Sequence, residues 1–276
     1  MSSVTPEMIN YYTQLLNDLE RVRGGSTDAL FWMVVRGREQ PLTVADVARR
    51  LGADLDMTSL RTVLEPAEHA VLEQSDHGVI LLAADVYIDG PDIWARLTEN
   101  AQAWGFWYLI NAANRLFHAA DGQLVTEMDA LRPEPSQCWG RTPRALDSCL
   151  GALRALADQK RTDDQAGVTP SAAYPEWETA LATVEAMTGV RLDVDRFTRG
   201  QHWVRPLGGR LDAISTSRRG RASSGLRDAE QRARPRVRPT WRRTPYGEAA
   251  LGGCVQPSTE AVAAALAEHD PGLRRH

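Results

Sequence analysis

Residues 103–129 read AWGFWYLINAANRLFHAADGQLVTEMD, and the fold turns on this stretch. Asp121-Gly122 lies between two runs dense in apolar residues. A two-residue type I′ turn needs φ > 0 at both central positions, and Asp-Gly supplies it. The expected hairpin sets Ala120 opposite Gln123, Ala119 opposite Leu124, His118 opposite Val125 and Phe117 opposite Thr126. Each face of the ribbon then carries apolar groups and needs cover. Upstream, the aromatic run Phe106, Trp107, Tyr108 suits a pleated surface, and residues 111–114 supply a turn, so a three-stranded meander is predicted.

Working outward, Met8, Ile9, Tyr12, Leu15, Leu16 and Leu19 recur at helical spacing behind Thr5-Pro6, an N-cap followed by an N1 proline. Residues 29–35 (ALFWMVV) read as a buried strand. Thr43 caps a helix that carries Val47, Ala48 and Leu51 to Gly52. A short helix is expected over residues 57–64, and residues 69–73 fit strand or helix. Residues 79–88 (VILLAADVYI) predict a further strand of the same sheet, and residues 93–103 a short helix with Trp94 inward. Thr142-Pro143 opens a helix with Leu146, Cys149, Leu150, Leu153 and Leu156 on one stripe. Pro175 starts another, in which Trp177, Leu181, Val184 and Met187 face inward before Gly189. Residues 190–207 form a coda packed through Phe197 and Trp203.

The longest apolar stretch, residues 79–84, is too short to span a bilayer, and the N-terminal residues have no signal-peptide core. The expected location is cytoplasmic, without membrane contact. Cys138, Cys149 and Cys254 form no C-x-x-C pair, so reduced thiols are expected. Lys160 is the only lysine among 32 basic residues, which points to GC-rich coding. Residues 1–204 carry 18 basic and 29 acidic side chains (−11), and residues 205–276 carry 14 and 7 (+7).

The succession VVRG, VADVARRLGAD, FHAADGQLVTEMDALRPE, WGRTPRALDSCLGAL and ATVEAMTGVRLDVDRF, over roughly residues 28–207, resembles an actinobacterial family known only as a domain of unknown function. The resemblance implies a shared fold unit and a bacterial setting. It carries no reaction, ligand or catalytic residue. This chain departs from the pattern in its C-terminal tail and in the strand over residues 79–88.

Any chemistry must therefore be legible in the residues themselves. The six histidines form no H-E-x-x-H and no H-x-E with a following C-x-x-C, and no G-x-S-x-G, P-loop or G-x-G-x-x-G occurs. No catalytic, cofactor-binding or metal-ligating residue is assigned, and no cofactor is expected. His118 is expected to pack. Asp85, Asp89, Asp92, Glu127 and Asp129 could meet around one sheet edge, with solvated loop and edge charges as the plainer reading. Trp94, Trp104 and Trp107 are the candidates for a partner-binding aromatic patch, weighed against burial in the core.

Residues 43–64 admit a helix-turn-helix reading, because Ala48 and Gly52 stand four apart, although Thr58 and Arg61 fit the second helix poorly. Residues 205–245 hold 12 arginines against Asp212, Asp228 and Glu230. Arg218, Arg219, Arg221, Arg234, Arg236, Arg238, Arg242 and Arg243 are the candidate contacts for weak, sequence-indifferent nucleic-acid binding. The same arginines could neutralise the acidic body, and a GC-rich gene read out of frame yields a similar composition.

The expected fold is α+β. It comprises an N-terminal helix (1–25), a domain (26–207) with a mostly antiparallel sheet built on the meander and covered by helices, and a poorly ordered Arg-rich extension (208–276). The expected function is a non-catalytic cytoplasmic interaction or regulatory module with an unidentified protein partner. Its rivals are a DNA-binding regulator and an enzyme of unrecognised class. The enzyme requires a deep pocket lined by carboxylates or a histidine from different elements.

Overall fold

A computed structural model describes residues 3–23, 29–53, 56–65, 69–84, 87–110 and 113–204. Its centre is the strand predicted from ALFWMVV, β1 (Ala29–Gly37), whose first seven residues are all buried. The apolar run lacks alternation because both faces of this strand are covered. β1 pairs antiparallel with β4 (Gly78–Ala83) and with β5 (Ala101–Leu109). Around them stand β2 (Asp56–Arg61), β3 (Ala70–Ser75), β6 (Ala113–Ala120), β7 (Gln123–Asp129), β8 (Cys138–Trp139) and β9 (Gln201–Val204). The nine strands form one sheet in the order β2-β9-β3-β4-β1-β5-β6-β7-β8, and every pairing is antiparallel. The fold is α+β, a mostly antiparallel sheet built on a meander with helices packed on it.

One sheet face presents Leu30, Trp32, Val34, Ile80, Phe106 and Tyr108 to α1 (Pro6–Arg23) and α5 (Glu176–Thr188). The other presents Phe31, Met33, Val35, Leu81, Trp107 and Phe117 to α2 (Val44–Arg50) and α3 (Pro91–Leu97). α1 belongs to the same core as the sheet, through Met8, Ile9, Tyr12, Leu15 and Leu19. α5 is buried from Thr179 to Thr188, because it packs on α1, on α4 (Gly151–Ala166) and on β5. Its threonines tolerate this by donating to the carbonyls of the preceding turn, Thr183 to Thr179 at 2.7 Å and Thr188 to Val184 at 2.8 Å. Two predicted caps form. Thr43 and Asp46 make a reciprocal capping box, and the Thr43 hydroxyl holds the Asp46 carboxyl down at about 2. Gly189 ends α5 at φ 72°.

The meander hairpin turns through Asp121 and Gly122 at φ 52° and 77°. Ala120 opposes Gln123 and Ala119 opposes Leu124, as expected; His118 then opposes Thr126, and Phe117 opposes Glu127. Val125 is an extra residue in β7, a bulge. Its carbonyl accepts the Thr142 N–H at 2.8 Å, while the Leu124 carbonyl accepts the Arg141 N–H at 3.3 Å. The chain crossing beyond β8 thus satisfies what the bulge frees. Gly122→Val is expected to cost about 1–2 kcal/mol, because a β-branched residue resists the left-handed backbone. The added Cβ would make only ordinary contact, 3.5 Å from Ala95, so the cost comes from φ. An unchanged thermal midpoint would refute this account of the turn.

Other expectations need correction. Residues 57–64 do not form a helix; β2 runs through Asp56–Arg61 and pairs with β9, which sequence patterning did not reveal. Residues 43–64 therefore contain one helix and a strand, and no helix-turn-helix. The strand expected over 79–88 ends at Ala83. The helix expected over 93–103 ends at Leu97, and left-handed Asn100 (φ 49°) turns the chain into β5. Thr142-Pro143 does not open a helix, because the Thr142 N–H and the Pro143 carbonyl are engaged by β7. A 3₁₀ turn at Asp147–Cys149 precedes α4 instead, and Leu146, Leu150 and Leu153 still enter the core.

Candidate binding cleft

Trp94, Trp104 and Trp107 are 3%, 5% and 3% exposed, so they form no surface patch. Trp94, on α3, and Trp107, on β5, pack into the core shared with α2 and α3; Trp104 faces the opposite core. There Trp104 stacks on His118 with ring centroids 5.0 Å apart, and burial, aided by Arg38, pushes the His118 imidazole down to about 4. Arg218, Arg219, Arg221, Arg234, Arg236, Arg238, Arg242 and Arg243 lie outside the described residues.

Of the five carboxylates that could meet around one edge, the structure brings Glu127 and Asp89 together. Glu127 of β7 is 6% exposed, and burial pushes its carboxyl up to about 7, with the Asp89 charge adding to the rise and Arg115 opposing it. The Arg115 Nε stands 3.4 Å from Glu127, and its guanidinium lies 4.4 Å over the Trp139 ring. Asp89 accepts from Trp94 Nε1 at 2.8 Å. Tyr87 stacks on Trp107 at 4.0 Å, and burial together with Glu127 and Asp89 raises its hydroxyl well above the usual phenol range. Asp92 is exposed on α3, Asp129 accepts the Leu131 N–H, and Asp85 lies outside the described residues.

Two open clefts of similar size lie elsewhere among the described residues, one of about 290 Å³ between the ends of β1, β3 and β4, lined by Glu39, Asp76 and His77 among others, and one between α1 and α5. Pro175 ends the approach to α5, whose first turn places Glu176, Trp177 and Glu178 beside the exposed carboxylate of Glu20 on α1. With Leu16, Asn17, Tyr108, Ala173 and Tyr174 they line a cleft of about 300 Å³. Its aromatic wall is the half-buried Trp177, backed by the fully buried Tyr108 in a near-parallel stack, 4.3 Å between centroids and 11° between planes. The Trp177 Nε1 donates to Asn114 Oδ1 at 2.6 Å, which fixes the indole. The Tyr174 hydroxyl donates to Asp163 at 2.6 Å, and that carboxylate pushes the phenol up to about 12.

The cleft's charges are not matched. Lys160 pairs with Glu176 at 2.8 Å. No cation among the described residues pairs with Glu178; burial raises its carboxyl, the Glu178 backbone N–H in the first turn of α5 opposes the rise, and the neighbouring Glu176 charge adds to it. Among the described residues no three His, Cys, Asp or Glu side chains gather as a metal cage. A half-buried carboxylate beside a fixed aromatic face is instead the environment that holds an organic cation, by ion pairing and cation–π attraction. Helical periodicity turns Trp177 toward the core and marks neither Glu178 nor Glu20. The E-W-E triplet behind Pro175 was the one visible signal.

No family model, no curated protein and no solved structure matches the chain. Among the described residues no helix is long and apolar enough to cross a membrane.

Proposed function

We propose that the protein is a non-catalytic cytoplasmic interaction or regulatory module, whose cleft between α1 and α5 receives a basic segment of a partner protein. The observation that supports this reading is Glu178, a half-buried carboxylate without a cation beside the fixed Trp177–Tyr108 stack. Binding a guanidinium there offsets the desolvation that Glu178 already bears, and the planar cation suits the flat indole. The cleft holds carboxylates from two elements, as the enzyme reading requires, but those groups flank an immobilised aromatic wall and no nucleophile or histidine lines it. That arrangement favours holding a ligand over transforming one.

The test is titration of a fluorescent Arg-rich peptide with the protein and with Glu178→Gln. A charge-assisted contact contributes about 1.5–3 kcal/mol, so the variant should bind at least roughly tenfold more weakly with its melting temperature little changed. Equal affinities would refute the assignment of the cleft.

Membership of the actinobacterial family of unknown function is part of the same proposal, on the motifs quoted above. A second reading, weak phosphate binding by the arginines of residues 205–245, is favoured by their local charge of +9. It requires DNA retention that falls steeply with salt and shows no sequence preference.

A further inference from the structure

The charge asymmetry of the chain bears on the same cleft. Residues 1–204 carry −11 and residues 205–276 carry +7, with twelve arginines between positions 205 and 245. The sheet register fixes where the basic part departs. Val204 opposes Ala70, while the next position, Val71, is level with Leu82, Trp32 and Phe106 across four neighbouring strands. Val204 is therefore level with Trp107, one residue from the cleft's Tyr108. β9 stands four strands from β5, a lateral distance of about 19 Å at the usual strand spacing. Arg232 follows Val204 by 28 residues, a chain length that can span several times that distance when extended.

We propose that the arginines of residues 232–243 dock in cis into the cleft of Glu178 and Trp177, as an internal competitor of the partner segment. This inference rests on the cleft being a receptor for basic segments. Charge complementarity favours the occupant, and departure from the same end of the sheet makes it reachable. Tethering supplies the driving force. With an effective concentration on the order of 1 mM and a peptide dissociation constant on the order of 100 µM, occupancy in cis weakens an added peptide about tenfold.

The test keeps the full-length protein. A fluorescein-labelled, capped peptide of residues 232–243 is titrated into the wild-type chain, into a full-length variant with Arg232, Arg234, Arg236, Arg238, Arg242 and Arg243 replaced by Gln, and into that variant with Glu178→Gln added. The expected result is about tenfold tighter binding to the six-substitution variant than to wild type, lost on adding Glu178→Gln. Equal binding to wild type and to the six-substitution variant, both sensitive to Glu178→Gln, would overturn docking in cis and leave the cleft as a receptor. No binding to the six-substitution variant, or binding indifferent to Glu178→Gln, would overturn both.

Discussion

Gly105→Ala is expected to destabilise the protein by about 3 kcal/mol, the upper part of the range for overpacking a close-packed interior. Gly105 lies on β5 between Met33 of β1 and Phe117 of β6. A Cβ there would stand 2.5 Å from Phe117 Cζ and 2.5 Å from the Trp32 carbonyl oxygen. Neither neighbour can yield. The Phe117 ring is held between Phe31 at 5.9 Å and Trp94 at 5.4 Å, and the Trp32 carbonyl belongs to the central strand. The melting temperature should fall by roughly 6–12 °C. Gly151→Ala is the control, because nothing lies within 4 Å of its would-be Cβ; it should stay within about 0.5 kcal/mol of wild type. Similar midpoints for the two variants would refute the packing described for the centre of the sheet.

The second large effect is hidden in the wild type and emerges on substitution. The Glu127 carboxyl titrates at about 7 in the folded protein against an ordinary 4.5, so the folded state holds this proton more tightly than the unfolded state. Stability from this group is fully present below about pH 4.5 and is lost as pH rises to about 7, a change of about 3 kcal/mol. His118 acts in the opposite sense. Its imidazole titrates at about 4 against 6.5, so its contribution is present above about pH 6.5 and is lost as pH falls to about 4, with a size reduced by solvent screening of the partly exposed ring. The two slopes overlap between about pH 4.5 and 6.5 and oppose each other, so their contributions partly cancel in the wild type. Glu127→Gln should leave a midpoint that rises with pH across this window, and His118→Phe one that falls. If both variants keep the wild-type profile, neither group is titrating as its surroundings imply.

The parts of this fold legible in the sequence are those specified by neighbours in the chain. Thr5-Pro6 starts α1, Thr43 and Asp46 close a capping box over three residues, Asp121-Gly122 turns the hairpin, and Gly189 stops α5. What was not legible depends on distant partners. β2 looks helical in isolation and becomes a strand because β9, some 140 residues later, pairs with it. The bulge at Val125 is stabilised by the backbone of Arg141 and Thr142, so counting back from the Asp-Gly turn gives a register one residue out. Trp94, Trp104 and Trp107 are buried, the plainer of the two readings their clustering allows, but composition does not say that Trp104 faces one side of the sheet and Trp94 and Trp107 the other. The cleft combines Glu20 with Glu178, which only the packing of α1 on α5 brings to the same opening.

The place of β9 sets a schedule for the newborn chain. As the polypeptide leaves the ribosome, β4 can pair with the waiting β1 and β3, and β5, β6, β7 and β8 can then add in turn, each onto a strand already made. The slot between β2 and β3 stays vacant until residues 201–204 emerge. Throughout that interval β3 offers bare N–H and C=O groups to any passing strand, and β2 has nothing to hold it. Nascent chains stalled between residues 140 and 200 should therefore be the aggregation-prone ones, and the four residues Gln201–Val204 act as the closing stitch.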